Sequence, residues 1–234
     1  MRIDKGAGIL DDRPRWRMAV HRCVPSLIAS LALACGSGAG SGTTPGVEDF
    51  SGQDLSGADL SGRSLAAARF DGTNLSGANL RGANLDGVDL TTATLTGCDL
   101  RGASLHGANL AGVDFEQVKL GGADFSGAKL AGAKLQGAHL GWTIFRRADL
   151  TGADLSWSFL MNADFTEAVL LGADLERADF EGAHLAGADM RVRPNVTNLA
   201  ASKAHCWSAK TRWFEGLDVK PEIKPHDPKQ EGGR

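Results

Sequence analysis

Residues 56–62 spell SGADLSG, and the pentad inside them, Ala-Asp-Leu-x-Gly, recurs along most of the chain. From Phe50 to Met190 every fifth residue, 29 in all, is Leu, Phe or Met, and no insertion breaks the register over 145 residues. Two residues before this central position stands Ala in 19 of 29 units, with Val88, Cys98, Val113 and Val118 among the substitutes. Two residues after it stands Gly in 19 of 28 units, and the residue just before it is Asp 13 times and Asn 4 times. A period of five fits neither an amphipathic helix, which needs 3.6, nor a flat half-buried strand, which needs 2. Gly at every fifth residue would also cost a helix about 1 kcal/mol each time.

Local chemistry supplies the alternative. Residues two apart in extended chain face the same way, so the Ala and the central Leu share an inward face and the Asp or Asn between them points out. Gly then provides a corner that the chain can turn without a Cβ clash. One such unit buries only two side chains and must stack on its neighbours to form a core. Phe125, Phe145 and Phe165 are spaced by twenty residues, as are Phe50 and Phe70, which predicts ring-on-ring stacks along a coil of four units per turn.

The run of Ala-(Asp/Asn)-(Leu/Phe)-x-Gly units resembles the pentapeptide-repeat proteins over 145 of 234 residues. The resemblance implies an all-β fold: a right-handed, four-sided parallel β-helix of about seven turns, closed by a short C-terminal cap. It also implies one kind of function, since some members bind DNA gyrase as DNA mimics and protect it from quinolones. The segment TRWFEGLD (211–218) is similar to an aromatic-rich tail that folds back onto such rods, with Phe214 where that tail commonly has Pro.

Composition agrees with many small layers: Tyr is absent, aromatics are 6%, and hydrophobic residues are still 42%. The net charge of −3 conceals an uneven distribution. Residues 46–190 hold 10 basic and 20 acidic side chains, a net −10, between basic tails. A surface so acidic is unsuited to direct contact with phosphates, so no direct nucleic-acid binding is expected.

The ends divide into further segments. Arg13, Arg15, Arg17 and Arg22 precede the apolar run VPSLIASLALA (24–34), which has the length of a signal-peptide core and is too short to span a bilayer. Residues 1–34 therefore form a signal peptide with an extended start, Met18 being an alternative beginning. The sequence LALAC resembles a bacterial lipoprotein signal with Cys35 as the lipidated residue, while Ala32-Leu33-Ala34 also satisfies an ordinary cleavage pattern. Residues 35–46 are a flexible Gly/Ser linker, 47–191 the repeat rod, 192–218 a C-terminal cap and 219–234 a disordered tail. These features place the protein in the cell envelope, lipid-anchored or, with simple cleavage, soluble in the periplasm or secreted.

No Cys/His spacing suggests a metal, and no cofactor is expected. His106, His139 and His184 fall at outward positions on different turns and walls, without a nucleophile or convergent carboxylate to match. The regular Asp residues are expected to form a solvated outer surface, so neither catalysis nor a small-molecule substrate is expected. The repeat departs most from its consensus between 141 and 160. Trp142 and Trp157 replace corner Gly, while Ile144 and Phe159 replace outward Asp or Asn. These four form a candidate interaction patch, either exposed or covered by the C-terminal segment with Trp213 and Phe214. The expected function is a non-catalytic scaffold for a protein partner that the sequence does not name, with gyrase mimicry as the alternative.

Overall fold

The computed structural model describes residues 47–191 and the backbone of residues 212–213. The signal peptide, Cys35, the linker, most of the cap and the tail lie outside the described residues. Within 47–191 each pentad is a short extended segment followed by a bend. At the first bend the Phe50 carbonyl accepts the N–H of Gln53 at 2.9 Å, and Gly52 has φ of +67°. This is a type II turn, whose third residue must enter the left-handed region. Between Gly52 and Gly187 only the corners at Ala67 and Thr92 lack that positive φ.

Four bends return the chain above its start. Parallel pairings join residues twenty apart, beginning with Asp49 and Arg69 and ending with Val169 and Asp189. A typical rung bonds in both directions: the Leu55 N–H donates to Asn74 and the Asn74 N–H donates to Gln53, at 2.8 and 2.9 Å. The four faces of the coil are designated by their central residues: wall 1 runs from Phe50 to Met190, wall 2 from Leu55 to Leu175, wall 3 from Leu60 to Phe180 and wall 4 from Leu65 to Leu185. The central residues and nearly all the Ala residues beside them are buried in one continuous core. Burying a Leu contributes about 1.5–3 kcal/mol, so repetition achieves what a single pentad cannot. The phenylalanines stack as their spacing predicts. Phe125 lies on Phe145 at 5.3 Å between ring centroids, Phe145 on Phe165 at 4.9 Å, and Phe50 on Phe70 at 5.4 Å.

At the C-terminal end, β1 (Asp189–Met190) pairs in parallel with β2 (Arg212–Trp213), Asp189 opposite Arg212 and Met190 opposite Trp213. The offset here is twenty-three residues instead of twenty. The returning chain occupies the edge that wall 1 would otherwise expose.

Three junctions in the ladder are open. No backbone hydrogen bond joins Ala68 or Phe70 to Asp89, Ala93 or Leu95 to Asp114, or Val118 or Leu120 to His139. Each opening borders one of the three inward Val residues: Val88, Val113 or Val118. Beside the openings the inward Ala residues are slightly uncovered, Ala68 to 9% and Ala138 to 8%, whereas Ala78 and Ala108 are wholly buried. Volume alone does not account for this. Thr73 and Thr143, nearly isosteric with Val, keep both neighbouring pairings because their hydroxyls donate to the Phe50 and Leu120 carbonyls, at 2.8 and 3.3 Å. A Val at the same position adds the methyl bulk without the bond that draws adjacent rungs together.

Two outcomes follow for hydrogen exchange followed by NMR. The Leu120 and His139 amides should exchange about 100-fold faster than those of Leu100 and Phe159, which lie on the same wall with the ladder intact. In Val118→Thr the new hydroxyl reaches toward the Leu95 carbonyl, and protection at Leu120 and His139 should rise to that of their neighbours. Equal protection in the unaltered chain would contradict the open junction.

Candidate functional site

The consensus Asp does more than decorate the surface. At every outward Asp from Asp49 to Asp189, and at Asn74, Asn79 and Asn84, Oδ1 accepts the N–H of the residue two positions on, which the turn leaves without a ladder partner. Asp59 receives both the Ser61 hydroxyl and its N–H at 2.7 and 3.1 Å, and Asp89 receives those of Thr91 at 2.6 and 2.9 Å. The neighbouring hydroxyl first, and then the N–H, holds each of these two carboxyls below its ordinary range. At Asp164 burial pushes the other way, but the Thr166 and Arg146 hydrogen bonds outweigh it and the pKa is again lowered. The sequence reading of these carboxylates as a merely solvated surface is therefore corrected: they cap the corners.

Wall 3 departs from this plan. Its outward positions on three successive rungs are Lys119, His139 and Phe159, none of which offers a carboxylate or amide oxygen. The N–H groups of Gly121, Gly141 and Met161, which Asp would otherwise hold, have no acceptor among the described residues. No other wall shows three such rungs in a row. The open junction between Val118–Leu120 and Ala138–Leu140 lies on the same wall. There the surface sinks into a shallow groove of about 700 Å3, with Phe115, Val118, Ala138, Phe159 and Met161 in its lining. His139 and Phe159 stack across adjacent rungs at 4.9 Å.

The candidate patch falls on and around this wall. Trp142 is 70% exposed, Trp157 and Phe159 are each 48% exposed, and Ile144 is half-buried on wall 4. Met161, which sequence reasoning passed over because it lies outside the pentad's fixed positions, is also exposed. The two tryptophans occupy corners with φ of +61° and +60°. Gln117, Asn162 and Arg177 do the same, so five of the seven non-glycine residues with positive φ stand on the two edges of wall 3. A side chain other than Asn at such a corner costs about 1 kcal/mol relative to Gly. Arg177 lies over the Trp157 ring at 4.3 Å. The remaining two, Arg147 and Glu167, pair with each other at 2.7 Å.

A second constellation joins residues that the sequence did not connect. On wall 4 the Ser104 hydroxyl lies 2.8 Å from His106 Nδ1 and 2.5 Å from Asp86, and His106 Nε2 faces Asp124 at 3.4 Å. The expectation that the histidines lack a nucleophile or convergent carboxylate beside them is thus corrected for His106: spacings of two and eighteen residues converge on one wall. The arrangement does not make a nucleophile, because the single Ser104 proton is directed to Asp86, and the groove lining includes none of these residues. Among the described residues no group of three His, Cys, Asp or Glu is arranged to hold a metal ion. Cys98 is wholly buried, its thiol donates to the Leu75 carbonyl, and burial pushes its pKa to about 11. It behaves as a small core residue.

Parallel rungs, left-handed corners and a continuous core define a β-solenoid built on pentads. The chain belongs to the pentapeptide-repeat family, whose members form right-handed quadrilateral β-helices: the family's model, Pentapeptide repeats (8 copies), matches residues 49–82, 83–122, 123–160 and 160–191. No curated protein matches the chain in sequence. Among solved structures it is similar to HetL, a pentapeptide-repeat protein involved in heterocyst differentiation regulation in the cyanobacterium Nostoc sp. strain PCC 7120. That match has 26% identity, covers 73% of this chain and 98% of HetL, and has a TM-score of 0.27. A second Nostoc PCC 7120 pentapeptide-repeat protein, alr5209, is 30% identical over 60% of this chain and 88% of its own, with a TM-score of 0.31. Full-length QnrB1, a plasmid-mediated fluoroquinolone resistance protein, is 16% identical over 79% of this chain and 94% of its own, with a TM-score of 0.32.

The capping carboxylates give the rod a defined acid limit. Their folded pKa values lie below the unfolded value of 3.8, so their contribution is complete above that pH and is lost as pH falls through the lower folded values. The melting temperature followed by circular dichroism should be level between about pH 5 and 7 and should drop below about pH 4. Asp59→Asn with Asp89→Asn keeps the acceptor and removes the charge, so the drop should become shallower. An unchanged acid profile in that double variant would show that the caps do not carry it.

Proposed function

We propose that this protein is an exported, lipid-anchored scaffold that binds a protein partner through wall 3 and carries out no chemistry of its own. The observation that carries the binding role is the abandonment of the repeat along one wall. Trp142 and Trp157 stand exposed where the unit most often has Gly, Phe159 where it most often has Asp or Asn, and Met161 is exposed beside them. Trp and Arg are the side chains most enriched where interface energy concentrates, and Arg177 already rests on Trp157. The cell-envelope location is supported by the basic leader, the apolar run 24–34, Cys35 and the Gly/Ser tether behind it. Acylation at Cys35 with more than one chain would hold such a rod stably at a membrane surface.

A second reading has one observation in its favour. The net −10 of residues 46–190 suits mimicry of DNA toward gyrase, a cytoplasmic enzyme. Location separates the two. Expressed in a Gram-negative host, the full chain should enter the detergent phase and begin at an acylated Cys35 by mass spectrometry, and Cys35→Ala should lose both properties. A chain that stays in the cytoplasm with its leader intact would overturn export and make gyrase binding the reading to pursue.

A further inference from the structure

We infer that the groove on wall 3 receives an acidic segment of the partner protein, whose carboxylates take the place that Asp side chains hold on the other rungs. The chain itself shows what its turn N–H groups bind. At each of the thirteen outward Asp residues they are held by a carboxylate oxygen, as Asp99 holds the Arg101 N–H on the rung preceding Lys119. At Gly121, Gly141 and Met161 the same donors face the groove without one.

The charge around them supports the same occupant. Although residues 46–190 carry twice as many acidic as basic side chains, no Asp or Glu lines the groove. Lys119 and Arg101 do, and Lys119 has no carboxylate partner among the described residues, whereas Arg101 is paired to Asp99. The open junction adds the unpaired N–H groups of Leu120 and His139. An anion entering here meets several donors and at least one free cation, on a rod whose net charge is otherwise negative. Phe115, Phe159 and Met161 give the same segment an apolar anchor beside its carboxylates. The fitting partner is therefore a peptide segment combining Asp or Glu with an aromatic or aliphatic residue. This deepens the scaffold reading by naming its partner's chemistry, although the binding itself does not depend on export.

The test is selection of a random dodecapeptide display library on the purified full chain, followed by titration of the resynthesised winner by fluorescence anisotropy. Selected sequences should be rich in Asp and Glu beside an aromatic or aliphatic residue, and binding should weaken as salt is raised. Lys119→Asp, His139→Asp and Phe159→Asp each return the missing acceptor to its own rung, as the consensus has it. Each should melt no lower than the unaltered chain yet weaken the peptide at least 10-fold. Trp142→Gly, which restores the consensus corner, should likewise keep or raise the melting temperature and weaken the peptide. No enrichment, enrichment of basic sequences, or equal affinity for the four variants would overturn the proposal. So would a concentration-dependent mass that the same variants abolish, because the occupant would then be a second copy of the chain. Failure of the Cys35 experiment leaves this result intact, and the reverse also holds.

Discussion

Nearly every fifth residue of this rod turns the chain through a corner with a left-handed backbone, and the remaining structure depends on those corners. The corner closes a hydrogen bond around itself, sends the chain along the next wall and brings it back twenty residues later in register. Only then do the inward Leu, Phe and Ala side chains meet others of their kind and form a core. Glycine meets the requirement without strain, as Gly152 does at φ of +66° with open space around it. Seven other residues stand at such corners, and the concentration of five of them on the edges of wall 3 separates that wall from the others.

Two polar devices complete the corner. One is the outward Asp or Asn that holds the turn's spare N–H. The other is an inward hydroxyl or thiol, on Thr73, Cys98 or Thr143, that bonds to a carbonyl on the rung beneath. The first device fails along wall 3 at Lys119, His139 and Phe159. The second is absent where Val fills the inward position in place of Ala, and the ladder parts beside each of the three Val residues. The groove lies where the two failures coincide. Its polar character comes from backbone groups released by a side-chain choice, while its apolar character comes from the side chains themselves.

Much of this was legible in the sequence. The period of five, the inward pair and the Gly corner define the coil, and the spacing of Phe125, Phe145 and Phe165 fixes their stack. Trp142, Trp157, Ile144 and Phe159 stand out as departures from the unit. The role of Asp was not legible, because an outward carboxylate has the same pattern whether it is solvated or bonded to its own backbone. The cluster around His106 joins residues eighteen and twenty apart, and pairing by outward position alone does not give their distances. The open junctions turn on the difference between Val and Thr, which hydrophobic patterning does not resolve. The location of the protein rests on residues 1–46, for which the fold of the rod offers no information.

The open junctions also bear on how the rod responds to force. In a stack, each rung is coupled only to the rungs on either side, so the weakest junction governs how far a disturbance spreads. The three openings fall on walls 1, 2 and 3 at successive levels, and each level keeps its other three pairings. The weakness therefore winds around the rod as a seam and never cuts across it. A transverse cut would leave two rods joined by packing alone. A winding seam leaves one continuous rod with extra torsional compliance between Arg69 and His139, while the levels beyond His139 keep every pairing.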